Sequence, residues 1–303
     1  MSKIWVDTDF GFDDLWALLV LRHYGCEVAG VSLVAGNTPL PRVVANALGA
    51  KEAYDLNWPL WQGAVAPLKR DPETAERILG PDGMRSRGAK LPKSKAGVPD
   101  TGALDEIRGW LGGSSGTERQ ILALGPLTNL AALLMQFPEA ARMISRLVWM
   151  GGSSGRGNHT ATAEFNAVAD AEAVECVLNS GVPIDIVDLE FCRRVAFSEA
   201  DMPDTDPLTR DLLGGYLDIA LERGRPGMAI YDPLAALALA VPDAIGFTPC
   251  VVEISTEPDD SYGATRIQAA ARSSLRLATE ARADLGRMCL NALEMETANG
   301  HRQ

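Results

Sequence analysis

Apolar positions along this chain alternate between short continuous runs and longer stretches of helical spacing. Residues 4–6, Ile-Trp-Val, form a buried-strand signal, and an apolar run with helical character follows over 14–23. Residues 27–34 are rich in β-branched side chains and predict a second buried strand; 41–54 predict a helix with Pro41 in its first turn. The same reading gives strands at 59–62, 119–124, 146–150 and 183–187, and helices at 102–111, 130–137 and 171–180. Beyond residue 188, two helices (207–223 and 233–240), two β-like runs (250–255 and 264–268) and a last helix at 281–296 are expected. Strand and helix alternating in this way imply a single α/β domain over residues 1–303. Its central sheet is mostly parallel, flanked by helices, with its site at the carboxyl ends of the strands. One stretch breaks the rhythm. Residues 66–101, including GPDGMRSRGAKLPKSKAGVPD, read either as a surface loop of the kind that often serves as a lid or as a disordered insertion.

Composition narrows the function classes. Apolar residues make up 47% of the 303, enough for a large core. The formal net charge of -12 argues against a nucleic-acid backbone or an anionic membrane surface as partner. No run of about 18 apolar residues occurs, so no membrane span is expected. The N-terminus MSKIWVDTD carries no secretory signal, and the five cysteines are scattered without a C-x-x-C. Both features point to a reducing, cytoplasmic setting.

The chemistry concentrates where the first strand ends. Asp7, Asp9, Asp13 and Asp14 put four carboxylates within eight residues. Such a group repels itself unless protons or a metal intervene. Hard oxygen ligands favour Ca²⁺ or Mg²⁺ over zinc. Asp9 or Asp13 would also suit the N-cap of the helix that follows, which does not account for all four. Two later clusters are similar in kind. Asn158, Glu164 and Asn166 offer the mixed donors and acceptors that sugar hydroxyls require. Asp232 stands between Tyr231 and Pro233, where by itself it would read as another N-cap.

Taken together these motifs resemble the nucleoside hydrolases, the inosine–uridine-preferring family. DTDFGFDD is similar to that family's DTDPGIDD opening. Val-Ala-Gly-Asn-Thr at 34–38, Ala-Leu-Gly-Pro-Leu-Thr-Asn at 123–129, Met-Gly-Gly at 150–152, the run 158–166 with Asp170 after it, and Tyr-Asp-Pro at 231–233 follow in the family's order. The resemblance implies a calcium-dependent enzyme that hydrolyses the N-glycosidic bond of ribonucleosides to ribose and free base. It makes Asp9, Asp14 and Asp232 the Ca²⁺ carboxylates, joined by the backbone carbonyl of Leu124, with Asp9 also the general base for a calcium-bound water. It gives ribose binding to Asp13, Asn37, Asn158, Glu164 and Asn166, a supporting role to Asp7, and a homodimer or homotetramer as the assembly. The chemistry is coherent in its own right: positive charge grows on the ribose as the bond breaks, and an acid cluster stabilises it.

The chain departs from the family at the leaving base. Tyr231 stands where many members carry a histidine, and Leu79 to Gly83 lacks the second one. Two roles are open to Tyr231: donating its phenol proton, or stacking on a purine with Arg223 or Arg225 nearby. Stacking, and with it a purine-leaning preference, is the favoured expectation. His159 is a third candidate but reads as a solvent-facing loop residue. His23 ends the first helix and His301 is in the tail. The departures keep alive a ribonucleoside-binding protein without activity and a hydrolase of another N-riboside. The intact Asp9 argues against binding alone. A haloacid-dehalogenase-like phosphatase shares the Asp-x-Asp, but Phe10-Gly11 replaces that class's Gly-Thr or Gly-Val.

Overall fold

The first apolar run is strand β1 (Lys3–Thr8), and it lies inside a nine-stranded sheet. The structure is a computed structural model that describes residues 3–98, 102–113 and 118–295. Around β1 the sheet is built from β2 (Glu27–Leu33), β3 (Leu60–Gln62), β4 (Arg119–Ala123), β5 (Arg146–Met150) and β6 (Ile184–Val187). A two-stranded ribbon of β7 (Ala196–Phe197) and β8 (Met228–Ala229) stands apart, and β9 (Ile245–Ile254), β10 (Thr265–Ala269) and β11 (Leu275–Ala281) complete the sheet. The order is β10-β9-β11-β6-β5-β4-β1-β2-β3. Every pair from β11 to β3 is parallel, and β9 alone runs against its neighbours.

A parallel sheet needs both faces covered, and the two-residue period of β1 shows how this chain does it. Ile4 and Val6 face one core, together with residues of α1 (Phe12–His23) and α2 (Leu40–Ala53). Trp5 faces the other core, with residues of α4 (Ala103–Leu111), α5 (Thr128–Gln136) and α7 (Ala171–Leu178). Short α3 (Glu76–Leu79), α6 (Phe165–Ala169) and α8 (Leu189–Cys192) lie in the connections. Helices α9 (Pro207–Leu221), α10 (Asp232–Ala240) and α11 (Leu285–Asn291) join the first core. Among the described residues no helix is long and apolar enough to cross a membrane. All five cysteines are unpaired thiols.

Three expectations change. The last helix occupies only Leu285–Asn291 of the predicted 281–296, and Glu296 lies outside the described residues. Before it stands β11, whose Leu275 and Leu277 alternate with Arg276; that arginine is fastened to buried Asp185 by two bonds of 2.6 and 2.7 Å. Strand β9 starts five residues before the predicted 250, running through Pro249, which is acceptable because β9 is antiparallel and Pro249 still offers its carbonyl to Ala270. Segment 66–101 is irregular apart from α3, and is fastened to the rest of the fold near the site. Leu68 N–H donates to Asp170 at 2.9 Å, and Ala75 N–H to the Asn37 carbonyl at 3.0 Å. Its residues 99–101 lie outside the described part.

The carboxyl ends of the inner strands are stitched together by one side chain. Asn129, fully buried in α5, donates to Asp7 on β1 at 2.8 Å and to the Leu33 carbonyl of β2 at 3.3 Å. Its own carbonyl accepts from Ala64 N–H, just past β3, at 2.7 Å. Gly63 must be glycine here, because a Cβ would sit 2.2 Å from the Asn129 amide oxygen. Asn129→Ala is expected to lower the unfolding free energy by about 2 kcal/mol, since it removes three hydrogen bonds that join β1, β2 and the turn after β3 and leaves the Ala64 N–H without its side-chain acceptor. Urea denaturation measures this, and a loss below about 1 kcal/mol would show that the three ends are held by other contacts.

Candidate active site

The acidic loop between β1 and α1 is wound tightly around its own polar groups. Thr8 donates its hydroxyl to Asp14, and Gly11 N–H donates to the other Asp14 oxygen at 2.7 Å. Asp14, rather than Asp9 or Asp13, therefore accepts the free N–H at the helix start. Phe10 sits at φ 49°, left-handed, with its N–H on the Thr8 hydroxyl at 3.0 Å. A proline, the residue of the DTDPGIDD pattern, cannot take that φ. Asp9 is buried and doubly fixed by Asn37, whose backbone N–H and side-chain amide donate to its two oxygens at 2.7 and 3.1 Å. Gly36 makes room for it, because a Cβ there would lie 2.2 Å from Asp9 Oδ2.

The other acids arrive from distant elements. Asp13 receives the Tyr216 hydroxyl of α9 at 2.9 Å. Asp232 is the first residue inside α10, and no side chain caps that helix, so capping does not account for it. Asp13, Asp14 and Asp232 each bring a carboxylate oxygen within 4.8 Å of the others. Glu164 is the N-cap of α6, accepting from Asn166 and Ala167 N–H at 2.8 and 3.0 Å, and it also accepts from Gly152 N–H past β5 at 2.8 Å. The Asn166 amide donates to the Leu124 carbonyl at 2.7 Å and the Met150 carbonyl at 3.0 Å, tying β4 to β5. Asn158 accepts Phe165 N–H at 3.0 Å.

These residues enclose a cavity of about 220 Å³. Asp13, Asn37, Leu124, Asn158, Glu164, Asn166, Tyr231 and Asp232 all line it. Asp9 and Asp14 are buried and contribute no lining. One wall is apolar: Ile78 and Leu79 come from α3, Ile219 from α9 and Met228 from β8, the ribbon strand that leads into Tyr231. His159 also lines the cavity, which corrects its solvent-facing placement. Segment 66–98 folds over it, putting Glu73 Oε1 2.6 Å from its Nε2, and Phe165 packs against the ring at 5.4 Å. Tyr216 carried no sequence signal beyond being an aromatic in a helix, and α6 was too short to be seen by periodicity.

Burial dominates the electrostatics. It pushes Asp7 up to about 6, with the Asn129 and Ser32 bonds pulling back. Asp14 rises to about 7 through burial and then the repulsion of Asp13; Glu164 rises to about 7 through burial despite its backbone donors. Asp9 and Asp232 are raised by burial first and by the neighbouring acids second, and Asp13 by burial, opposed by Tyr216. The cluster thus favours protons or a cation. The donor set is all oxygen, anionic, converging and dry, which suits a hard divalent ion. The Leu124 carbonyl keeps a second lone pair beside the Asn166 bond.

A stability prediction follows from the signs. The folded state holds these protons at pH values where the unfolded chain, with carboxylates near 4, has released them, so folded protein binds more protons. In chelator, the melting temperature is expected to fall as pH rises from about 4 to about 8, through the folded-state values near 6 and 7. A divalent cation competes with those protons, so its stabilising effect should grow over the same range. A melting temperature that rises with pH in chelator would contradict the assignment of the cluster as a cation-seeking site.

Comparison with known proteins agrees with this architecture. The family model described as inosine-uridine preferring nucleoside hydrolase matches residues 4–287. The non-specific ribonucleoside hydrolase RihC of Escherichia coli (strain SMS-3-5 / SECEC) is 34% identical over 269 residues, covering 86% of each chain. Among solved structures, a purine-preferring ribonucleoside hydrolase from Gardnerella vaginalis superimposes with a TM-score of 0.85 at 22% identity, over 96% of both chains. An inosine-guanosine nucleoside hydrolase gives a TM-score of 0.84 at 24% identity, over 97% of this chain and 98% of that one.

Proposed function

The chain belongs to the inosine–uridine preferring nucleoside hydrolase family, and from that premise we propose how its own residues divide the reaction. It is a ribonucleoside hydrolase, an N-glycosidase that releases ribose and free base. The observation that carries the reading is the meeting of Asp13, Asp14 and Asp232 at the floor of a cavity, with buried Asp9 held by Asn37. We assign a calcium ion to Asp9, Asp14, Asp232 and the Leu124 carbonyl, with Asp13 close to both ion and sugar. When bound, such an ion supplies Lewis acidity and offsets the mutual repulsion of the acids.

Asp9 takes the proton of the attacking water. Its two oxygens are fixed by Asn37, and burial and the neighbouring acids make it hungrier for a proton than an ordinary carboxylate. Asp13, Asn37, Asn158, Glu164 and Asn166 bind the ribose hydroxyls. A 2′-deoxy sugar would leave buried polar groups unpaired and be turned over poorly. The acids also face the positive charge that develops on the ring. At the base end, burial pushes the Tyr231 phenol up to about 12, so it is a weak proton donor at neutral pH. Its ring, beside Ile219 and Met228, is better suited to stacking, which supports a purine-leaning preference. The five unpaired thiols support a cytoplasmic enzyme; purine salvage as its setting and a homodimer or homotetramer as its assembly are proposed from the family alone.

Sugar release from inosine, adenosine, guanosine, uridine, cytidine and 2′-deoxyinosine, with calcium and with chelator, tests the whole reading. Purine nucleosides should be cleaved fastest and chelator should abolish cleavage. Equal rates in chelator would remove the metal from the account. Asp9→Asn is expected to lower kcat by about a thousandfold while leaving the fold intact. Retention of full activity would move the base elsewhere.

Tyr231 separates the two modes of base handling. If it stacks, Tyr231→Phe should cost less than about threefold and Tyr231→Ala roughly ten- to a hundredfold in kcat/KM. A large loss in Tyr231→Phe would instead identify the phenol proton as the chemical contribution.

A further inference from the structure

We propose that the cavity is built for N-ribosides that carry an anionic group, an oxyanion held by arginines opposite the acidic floor. This rests on the hydrolase reading above and names its substrate class. Four arginines line the cavity: Arg156, Arg193, Arg223 and Arg225. Arg193 is a fastener. It pairs with Glu190 and donates to the Arg156 and Gly157 carbonyls at 2.7 and 2.8 Å, so it holds the loop from which Arg156 projects. Arg156, Arg223 and Arg225 form no ion pair among the described residues. Two other arginines of this region are already committed: Arg85 pairs with Glu222, and Arg87 with Glu199 and Asp218.

In a chain of net charge -12, unpaired guanidiniums gathered at one cavity run against the overall charge. Arg225 lines the same cavity as Tyr231, so its guanidinium is within the space that a leaving base would occupy. A neutral ribonucleoside leaves these arginines with little to do. Its hydroxyls belong to the acids at the floor, and a neutral base edge takes one or two ordinary hydrogen bonds. A planar guanidinium is matched to a carboxylate or phosphate, which it binds in a bidentate fork. The oxyanion has two possible sources, an acidic substituent on the base or a phosphate on the 5′ carbon. The reaction balances in the same way for both. The C1′–N bond breaks with its electrons passing to the base, water supplies the hydroxyl on C1′, and its other proton passes to Asp9 and from there, through solvent, to the base.

The experiment uses matched pairs with the whole protein and calcium. Orotidine is compared with uridine, and inosine 5′-monophosphate with inosine, by kcat/KM in wild type, Arg156→Gln, Arg223→Gln and Arg225→Gln. At least one anionic member should exceed its neutral partner by about tenfold, and that ratio should fall roughly tenfold in at least one variant, the scale of losing one charge-assisted hydrogen bond. Whichever pair shows the effect identifies the source. Neutral members cleaved as well as or better than both anionic ones would overturn the proposal and leave the hydrolase standing. So would a ratio that none of the three substitutions changes. If no riboside is cleaved, the hydrolase reading falls and calorimetric binding decides the arginines. Orotate or ribose 5-phosphate binding at least about tenfold tighter than uracil or ribose supports them, and equal binding removes them.

Discussion

Buried carboxylates in one place are the constraint on which this structure turns. Asp7, Asp9, Asp14, Glu164 and Asp232 are all nearly inaccessible, and Asp13 lies among them. Burial of each costs free energy, and their proximity costs more. The fold makes the arrangement bearable by spending backbone and amide donors on it. Asn37 serves Asp9, Gly11 and Thr8 serve Asp14, Tyr216 serves Asp13, and three backbone N–H groups serve Glu164. Among the described residues Asp232 has no comparable donor, and the charges that raise it are other acids. What the donors leave uncompensated is the part a cation would neutralise.

The same side chains hold the fold. Glu164 caps α6 and grips the end of β5; Asn166 ties β4 to β5; Asn129 ties β1, β2 and the turn after β3. A parallel sheet with loops at its carboxyl edge leaves strand-end backbone groups in need of partners. Polar side chains that meet this need are already in position to meet a sugar. Site and scaffold are therefore not separable by alanine substitution, and isosteric changes such as Asp→Asn are the informative ones.

The two ends of the cavity differ in construction. The end that we assign to the ribose is made of strand termini and buried helix starts, fixed from several directions. The base end is made of α3, the residues after α9 and the segment leading from β8 to Tyr231, none of which belongs to the large sheet. Local sequence change there leaves the central sheet untouched, which gives a physical route to different leaving groups on one ribose-handling frame. Arg223 and Arg225 are at this less constrained end, whereas Arg156 and His159 are on the loop between β5 and α6.

Much of the molecule was decided by local sequence. Continuous apolar runs ending in Asp, Asn and Gly specified six parallel strands and the edge on which the site sits, because burial on both faces leaves no other use for such runs. The acidic loop, Glu164, Asn166 and Asp232 stand out in the sequence as polar residues, and the structure buries most of them, which is costly without partners. Strand β11, the five-residue α6 and the early start of β9 could not be read from local sequence. Helix α6 is too short for a periodic signal, and β11 is held by partners distant in sequence, such as Asp185 for Arg276. Nor could the sequence show that Asp13 joins Asp14 and Asp232, that Tyr216 reaches Asp13 across 203 positions, or that Glu73 covers His159. Those juxtapositions depend on how the connections cross the sheet, and only packing of the whole chain decides that.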